Sequence, residues 1–200
     1  MISELEADGL AVERGGRLLF ENLSFRVAPG EALLLTGPNG AGKTSLLRCL
    51  AGLLRPSAGA VRFGASDARE ARARGLHWLG ADDGLKASRT AAAELRFWAR
   101  WGGGETVDAS LDAVGLRDAA ETPVRRLSAG QRRRLAFSRL LEPRRPLWLL
   151  DEPLAPLDPS WRDWAAKLMG EHLEAGGLLV AAVHDRPPIP ARELRLESAA

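Results

Sequence analysis

The sequence predicts an α/β fold built on a mainly parallel central sheet. Strand-like apolar runs alternate with helical patterns along the chain, an order typical of parallel strands joined by helices. A glycine-rich stretch, Gly37–Thr44, stands between one such run and the helical pattern that follows it. The apolar run Leu147–Leu150 ends directly in two acids, Asp151 and Glu152. Because parallel strands share one carboxyl edge, we expect the glycine-rich stretch and the two acids to meet there.

The first part of the chain combines short strands with one helix. The strands are predicted where apolar runs alternate with turn residues, at Leu10–Glu13, Leu23–Val27, Ala32–Leu35 and Ala60–Phe63. A helix is predicted after the glycine-rich stretch, because five leucines recur there at the spacing of one helical face. These leucines are Leu46, Leu47, Leu50, Leu53 and Leu54, and Pro56 and Gly59 close the segment.

The middle of the chain, from about residue 87 to residue 143, has a mostly helical pattern. Breaks are predicted in it at Gly102-Gly103-Gly104 and at Pro123. Beyond it lie Leu147–Leu150, Trp161–Ala175 and Leu178–Val183, predicted as strand, helix and strand. The order predicts a helical lobe inserted between the glycine-rich stretch and the later strands, within a single domain spanning residues 1–200.

Composition places the chain among soluble globular proteins. It has 200 residues, of which 46% are hydrophobic and 27% are charged. The net charge of +2 is too small to indicate a nucleic-acid partner. One cysteine, Cys49, excludes an intramolecular disulfide and fits a reducing compartment. The acidic start predicts no signal peptide, and the longest apolar runs fall far short of the roughly 20 residues that cross a bilayer.

The glycine-rich stretch fits the phosphate-loop pattern G-x-x-x-x-G-K-[ST]. Its residues are Gly37, Pro38, Asn39, Gly40, Ala41, Gly42, Lys43 and Thr44. The glycines let the backbone curl so that N–H groups point at phosphate oxygens, and the helix N-terminus adds partial positive charge. We predict that Lys43 reaches the β- and γ-phosphates of ATP and that the Thr44 hydroxyl binds Mg²⁺. The flanking strand and helix disfavour the alternative, a glycine-rich turn with a chance lysine.

The two acids after the apolar run are candidates for metal binding and catalysis. Asp151 is predicted to hold Mg²⁺ through its water shell, and Glu152 to polarise the attacking water as general base. Strands often end in acidic residues without any such role. The presence of a phosphate loop in the same chain favours the catalytic interpretation.

A third motif, Leu127-Ser128-Ala129-Gly130-Gln131, precedes a basic helical segment. Ser128 is predicted to cap a helix whose N-terminus faces outward, which makes an anion site without a phosphate of its own chain nearby. The alternative is a capped surface helix with no ligand. The pentapeptide resembles the signature motif of ABC-type ATPases, usually Leu-Ser-Gly-Gly-Gln, with Ala129 in the third position.

That resemblance implies a P-loop ATPase with a mainly parallel core sheet, an N-terminal antiparallel β subdomain and an inserted helical subdomain. It implies an ATP-dependent homodimer in which Ser128 and Gly130 of each chain close on the nucleotide held by the partner. Ala155-Pro156-Leu157-Asp158 resembles the loop that follows the acidic strand in this family. His184, placed after a predicted buried strand, resembles the family's histidine that contacts the γ-phosphate.

Two positions depart from the family pattern. The segment Trp78–Lys86 stands where the family has a glutamine loop, yet it contains no glutamine. Asp82 occupies the equivalent position, and we predict that its carboxylate ligates Mg²⁺. No aromatic residue stands near Arg14, where the family commonly stacks one on adenine, so Arg14 is predicted to stack through its planar guanidinium.

The branch of the family is indicated by Gly84–Lys86, Thr90–Trp98 and the signature-like pentapeptide, together with the small size. These features are similar to the haem-exporter ATPases of cytochrome c maturation, the CcmA family. The similarity implies a peripheral place on the cytoplasmic face of a bacterial inner membrane, beside integral membrane subunits that supply the pore. The cargo stays open between haem and release of a haem-loaded chaperone. No Cys-x-x-Cys-His motif is present, so we expect no direct haem binding.

The sequence leaves three alternatives. The chain powers another small exporter, acts as a soluble ABC ATPase on DNA or ribosomes, or senses ATP without turnover. The second usually needs fused cassettes, a coiled-coil insert or a basic arm, and Glu152 argues against the third. Trp98 and Trp101 are expected to fill the helical lobe, although a groove for a membrane subunit is the alternative.

Overall fold

The computed structural model describes residues 2–102, 107–141 and 143–197, with the side chains of 101 and 102 left out. Part of the predicted glycine break, Gly103-Gly104, and the predicted role of the Trp101 side chain therefore lie outside the described residues. Within the described ranges, no helix is both long enough and apolar enough to span a membrane.

An antiparallel sheet of three strands is formed by the first part of the chain. Its strands are β1 (Leu5–Arg14), β2 (Arg17–Val27) and β4 (Ala58–Arg62), in the order β2-β1-β4. Both pairs are antiparallel. This sheet is the N-terminal antiparallel subdomain that the family resemblance implied.

The central sheet is parallel and carries the candidate site at its carboxyl edge. Its strands are β3 (Ala32–Thr36), β5 (Leu76–Leu79), β6 (Leu147–Asp151), β7 (Leu178–Ala182) and β8 (Arg192–Arg195), in the order β5-β6-β7-β3-β8. Each strand pair in it is parallel. All residues of β6 and β7 are buried, as expected for strands covered on both faces. The predicted α/β class is confirmed.

Apolar layers cover both faces of this sheet. On one face Leu33 and Leu35 pack with helix α1 (Lys43–Leu50) and with the antiparallel sheet. On the other face Leu34 packs with helix α6 (Pro159–Glu174) and with Phe137. Successive side chains of β3 point to opposite faces of the sheet, so this one strand contributes to both apolar cores.

The helical lobe contains α3 (Ala91–Gly102), α4 (Val107–Ala113) and two 3₁₀ turns, Arg117–Ala119 and Val124–Arg126. Helix α5 (Ala129–Leu141) follows and belongs to two cores at once. Its Leu135 packs in the lobe, whereas its Phe137 packs under the central sheet. Helix α5 consequently joins the lobe to the core.

The helix predicted after the phosphate loop is too long, because it included Leu53 and Leu54. Helix α1 ends at Leu50, and Leu53 is 63% exposed. The chain leaves the helix at Gly52, which has a φ of 73°. The N–H groups of Leu53 and Leu54 then both donate to the Arg48 carbonyl. A left-handed glycine at a helix end explains the early stop.

Three elements carry too weak a pattern to be predicted from the sequence, and they are α2 (Ala68–Arg74), β5 and β8. Helix α2 buries only Ala71, so it lacks an apolar stripe. Its one local signal is Asp67, whose side chain accepts from the N–H groups of Arg69 and Glu70.

Candidate nucleotide site

The phosphate loop joins the end of β3 to the start of α1. Gly37, Gly40 and Gly42 all have positive φ, at 130°, 83° and 98°. A side chain at Gly37 would collide with the backbone oxygen of Leu196, which follows β8. The loop thus needs glycine for its conformation at three positions, and at Gly37 also for close packing.

Lys43 is the first residue of α1 and is only 7% exposed. Its Nζ donates to the carbonyl oxygens of Gly37 at 2.7 Å and Pro38 at 3.1 Å. The ammonium group is therefore held inside the curl of the loop. A cation at the N-terminus of a helix, surrounded by backbone N–H groups, suits a phosphate.

Thr44 and Asp151 meet at the carboxyl edge of the sheet. The Thr44 hydroxyl donates to Asp151 Oδ1 at 3.2 Å, across 107 positions of sequence. Asp151 is 2% exposed, and its Oδ2 is buried with no hydrogen-bond partner among the described residues. A buried carboxylate oxygen without a partner is costly unless a ligand completes it. Hard oxygen ligands of this kind fit Mg²⁺, which uses one or two protein ligands with phosphates and water.

Glu152 has a strained backbone with a φ of 48°, rare for a residue that carries a side chain. Its N–H donates to the Ala182 carbonyl at the end of β7, at 2.9 Å. Its Oε2 accepts from the His184 N–H at 3.2 Å, and its Oε1 lies 3.5 Å from His184 Nε2. Strain of this kind costs on the order of 1–3 kcal/mol and clusters at active sites.

These side chains surround one cavity of about 450 Å³. It is lined by Arg14, Leu19, Asn39, Gly40, Gly42, Lys43, Thr44, Ser45, Ala81, Asp151, Glu152 and His184. The structure thus brings Arg14, the loop, both acids and His184 together. Asp82 is exposed and absent from the lining, where Ala81 stands instead. The predicted role of Asp82 as a magnesium ligand stays a prediction.

Ser128 and Gly130 lie outside this cavity, at the start of α5. The Ser128 hydroxyl accepts from the Gln131 N–H at 3.1 Å, and Gln131 Oε1 accepts from the Ser128 N–H at 2.8 Å. This reciprocal capping box fixes the helix start. Gly130 packs against the Pro156 carbonyl, where an added Cβ would stand 3.2 Å away.

Two residues beside the site, Arg133 and Asp83, were not predicted as site residues from the sequence. Arg133 is 2% exposed, and its guanidinium lies 3.2 Å from a carboxylate oxygen of Asp83. Burial lowers the pKa of Arg133 and raises that of Asp83, and each shift is opposed by the partner's charge. The basic run of α5 gave no signal, since charged runs usually lie on solvated faces.

The fold and this arrangement of loop, carboxylates and histidine define a P-loop nucleotide-binding cassette. A family model described as ABC transporter matches residues 20–155. The chain belongs to the ABC transporter family, and within it to the CcmA group of ATP-binding export proteins.

Assignment to that group depends on relatives that match nearly the whole chain. "Cytochrome c biogenesis ATP-binding export protein CcmA" from Rhodopseudomonas palustris is 50% identical, over 98% of this chain and 99% of that protein. The protein of the same name from Hyphomonas neptunium is 46% identical, over 93% of this chain and 92% of that protein. The resemblance inferred from the motifs is confirmed.

Solved structures share the fold at low sequence identity. A putative ABC transporter ATP-binding protein from Pyrococcus furiosus superposes with a TM-score of 0.82 at 20% identity, over 97% of this chain and 98% of that one. A dimeric post-hydrolysis structure of the cassette MJ0796, bound to ADP and Pi, superposes with a TM-score of 0.84 at 20% identity. That alignment covers 98% of this chain and 97% of the other. The chain has the fold of an ABC ATPase.

Proposed function

We propose that this ABC ATPase hydrolyses ATP with Mg²⁺ to drive an export step of cytochrome c biogenesis. The observation that carries the catalytic part is the strained Glu152, whose carboxylate is held against His184 beside the phosphate loop. The names of the relatives, cytochrome c biogenesis ATP-binding export proteins, indicate the process in which the hydrolysis is used.

The phosphate loop binds ATP. Its backbone N–H groups and Lys43 hold the β- and γ-phosphates, and Arg14, which lines the cavity, stacks on the base. Thr44 and Asp151 would hold Mg²⁺, which would supply positive charge to stabilise the phosphates. The 3.2 Å contact between the Thr44 and Asp151 oxygens supports this assignment, because both groups already face one point.

Hydrolysis falls to Glu152 and His184. Glu152 accepts the proton of the attacking water, and His184 contacts the γ-phosphate and keeps the Glu152 carboxylate oriented. The backbone N–H of His184 donates to that carboxylate, so replacing the imidazole alone leaves one contact in place.

The site is completed by a second copy of the chain. Ser128 and Gly130 start a capped helix outside the chain's own cavity, and a helix N-terminus attracts anions. In an ATP-dependent homodimer, the N-terminus of α5 in each chain therefore closes on the γ-phosphate held by the partner. The structurally similar cassette MJ0796 has been solved as a dimer.

Integral membrane subunits are the stable partners, and the chain sits peripherally on the cytoplasmic face of the bacterial inner membrane. The hydrolysis drives either the export of haem or the release of a haem-loaded chaperone. We propose no haem site on this chain.

Affinity purification from native membranes tests the process. The tagged chain should retain integral membrane proteins of cytochrome c maturation, and Lys43→Ala in the chromosome should stop covalent haem attachment to c-type cytochromes. Normal cytochromes c in a strain whose only copy is Lys43→Ala would overturn the assignment.

A further inference from the structure

Arg133 is a buried cation whose partners are almost all backbone. It lies in α5, five positions after Ser128. Burying a charged group is costly unless its polar atoms find partners, so the identity of those partners indicates what the burial achieves. The partners lie at the carboxyl end of β6 and in the segment that follows β5.

One guanidinium joins three segments of the chain. Arg133 Nη1 donates to the Gly80 carbonyl after β5 at 2.9 Å and lies 3.2 Å from Asp83 Oδ1. Arg133 Nη2 donates to the Glu152 carbonyl at 3.0 Å and, more weakly, to the Asp151 carbonyl at 3.4 Å. The planar fork of arginine holds these contacts in one fixed geometry, which a lysine does not provide.

These contacts bear directly on the strained residue. The Glu152 N–H is fixed by Ala182 on β7, and the Glu152 carbonyl is fixed by Arg133. Because hydrogen bonds fix the peptide groups on both sides of Glu152, they also fix its φ at 48°. That dihedral sets the direction of the Cα–Cβ bond, and so aims the carboxylate at the His184 N–H.

We propose that Arg133 is a positioning residue for hydrolysis, which holds the Glu152 backbone in its strained conformation and couples it, through Asp83, to the segment after β5. The inference rests on the proposed role of Glu152 as the base. Because Ser128 caps α5, the helix that carries Arg133, displacement of α5 also displaces the group that orients the base in the same chain.

A matched control exists at the other end of β5. Arg145 donates through Nη1 to the carbonyls of Ala73 and Leu76, and it lines no part of the nucleotide cavity. Arg145→Met therefore removes a half-buried arginine that donates to backbone carbonyls, and it leaves the contacts of Glu152 unchanged. It reports what such a loss costs in folding alone.

The test measures ATP affinity, steady-state hydrolysis and thermal unfolding of purified variants. Arg133→Met should lower kcat by about 10²-fold, the loss expected from misplacing a catalytic group by about 1 Å, with ATP affinity unchanged. Arg133→Lys keeps the cation beside Asp83 but offers one nitrogen, so its kcat should fall between Arg133→Met and wild type. Asp83→Asn keeps the backbone contacts and should lose less than Arg133→Met. Arg145→Met should keep its kcat.

A double variant separates this inference from the proposed function. In a Glu152→Gln background there is no base to position, so adding Arg133→Lys or Arg133→Met should not lower the residual rate further. A further, additive loss would overturn the inference, as would an Arg133→Lys protein with wild-type kcat. If Glu152→Gln alone hydrolyses ATP normally, the base assignment fails instead, and that outcome is recognised before any Arg133 variant is made.

Discussion

Replacing Glu152 with glutamine removes the proposed base while keeping its shape. The glutamine oxygen still accepts from the His184 N–H, a contact of 3.2 Å in the structure. A positioned base contributes about 10² to 10⁴ in rate, and each tenfold corresponds to about 1.4 kcal/mol of barrier. The substitution should therefore raise the barrier by about 3 to 6 kcal/mol. Phosphate release under saturating ATP measures the loss.

Binding should survive the Glu152→Gln change, because Lys43 and the loop are untouched. Removing a negative charge near the γ-phosphate also favours the closed homodimer, so ATP should shift the variant to twice its mass in light scattering. Adding Ser128→Arg should abolish that shift by placing a bulky cation where the partner's phosphate docks. Ser128→Ala loses only the cap, a cost of about 1 kcal/mol in helix stability, and separates that effect from blocking.

Glu174→Gln is the matched control, because Glu174 is an exposed carboxylate at the end of α6. It should hydrolyse ATP at the wild-type rate and stay monomeric or dimeric as wild type does. A Glu152→Gln protein with normal turnover would refute the base assignment. One that binds ATP but never dimerises, even beside its membrane partner, would refute the composite site.

Substitutions at three further residues test nucleotide binding, the metal site and the role of the histidine. Lys43→Ala should abolish useful ATP affinity in calorimetry, because the phosphates lose the ammonium buried inside the loop; wild-type affinity would contradict the phosphate-loop assignment. Asp82→Ala should weaken the dependence of hydrolysis on Mg²⁺ while metal-free nucleotide binding stays nearly intact, and Asp82→Gln should retain activity. An unchanged Mg²⁺ titration would remove Asp82 from the site, in line with its absence from the cavity lining. His184→Ala should cut kcat far more than ATP affinity, whereas equal losses would indicate a structural histidine.

The sequence alone determined the parts of this protein whose signals are local. A phosphate loop needs glycines at fixed spacing and a lysine at the helix start, so Gly37–Thr44 is recognisable without a fold. Buried parallel strands are continuous apolar runs, which made β3, β6 and β7 predictable. The capping box of Ser128 and Gln131 spans only three positions, so the start of α5 was also within reach.

Only the tertiary structure decided which distant residues share the site. Thr44 and Asp151 are 107 positions apart, and they meet because β3 and β6 both pair with β7. The strain at Glu152 and the burial of Arg133 leave no trace in residue pattern, since an arginine in a basic helix has the same spacing whether solvated or enclosed. The orientation of the proposed base therefore depends on hydrogen bonds between elements that are distant in sequence, and packing of the whole domain is what brings them together.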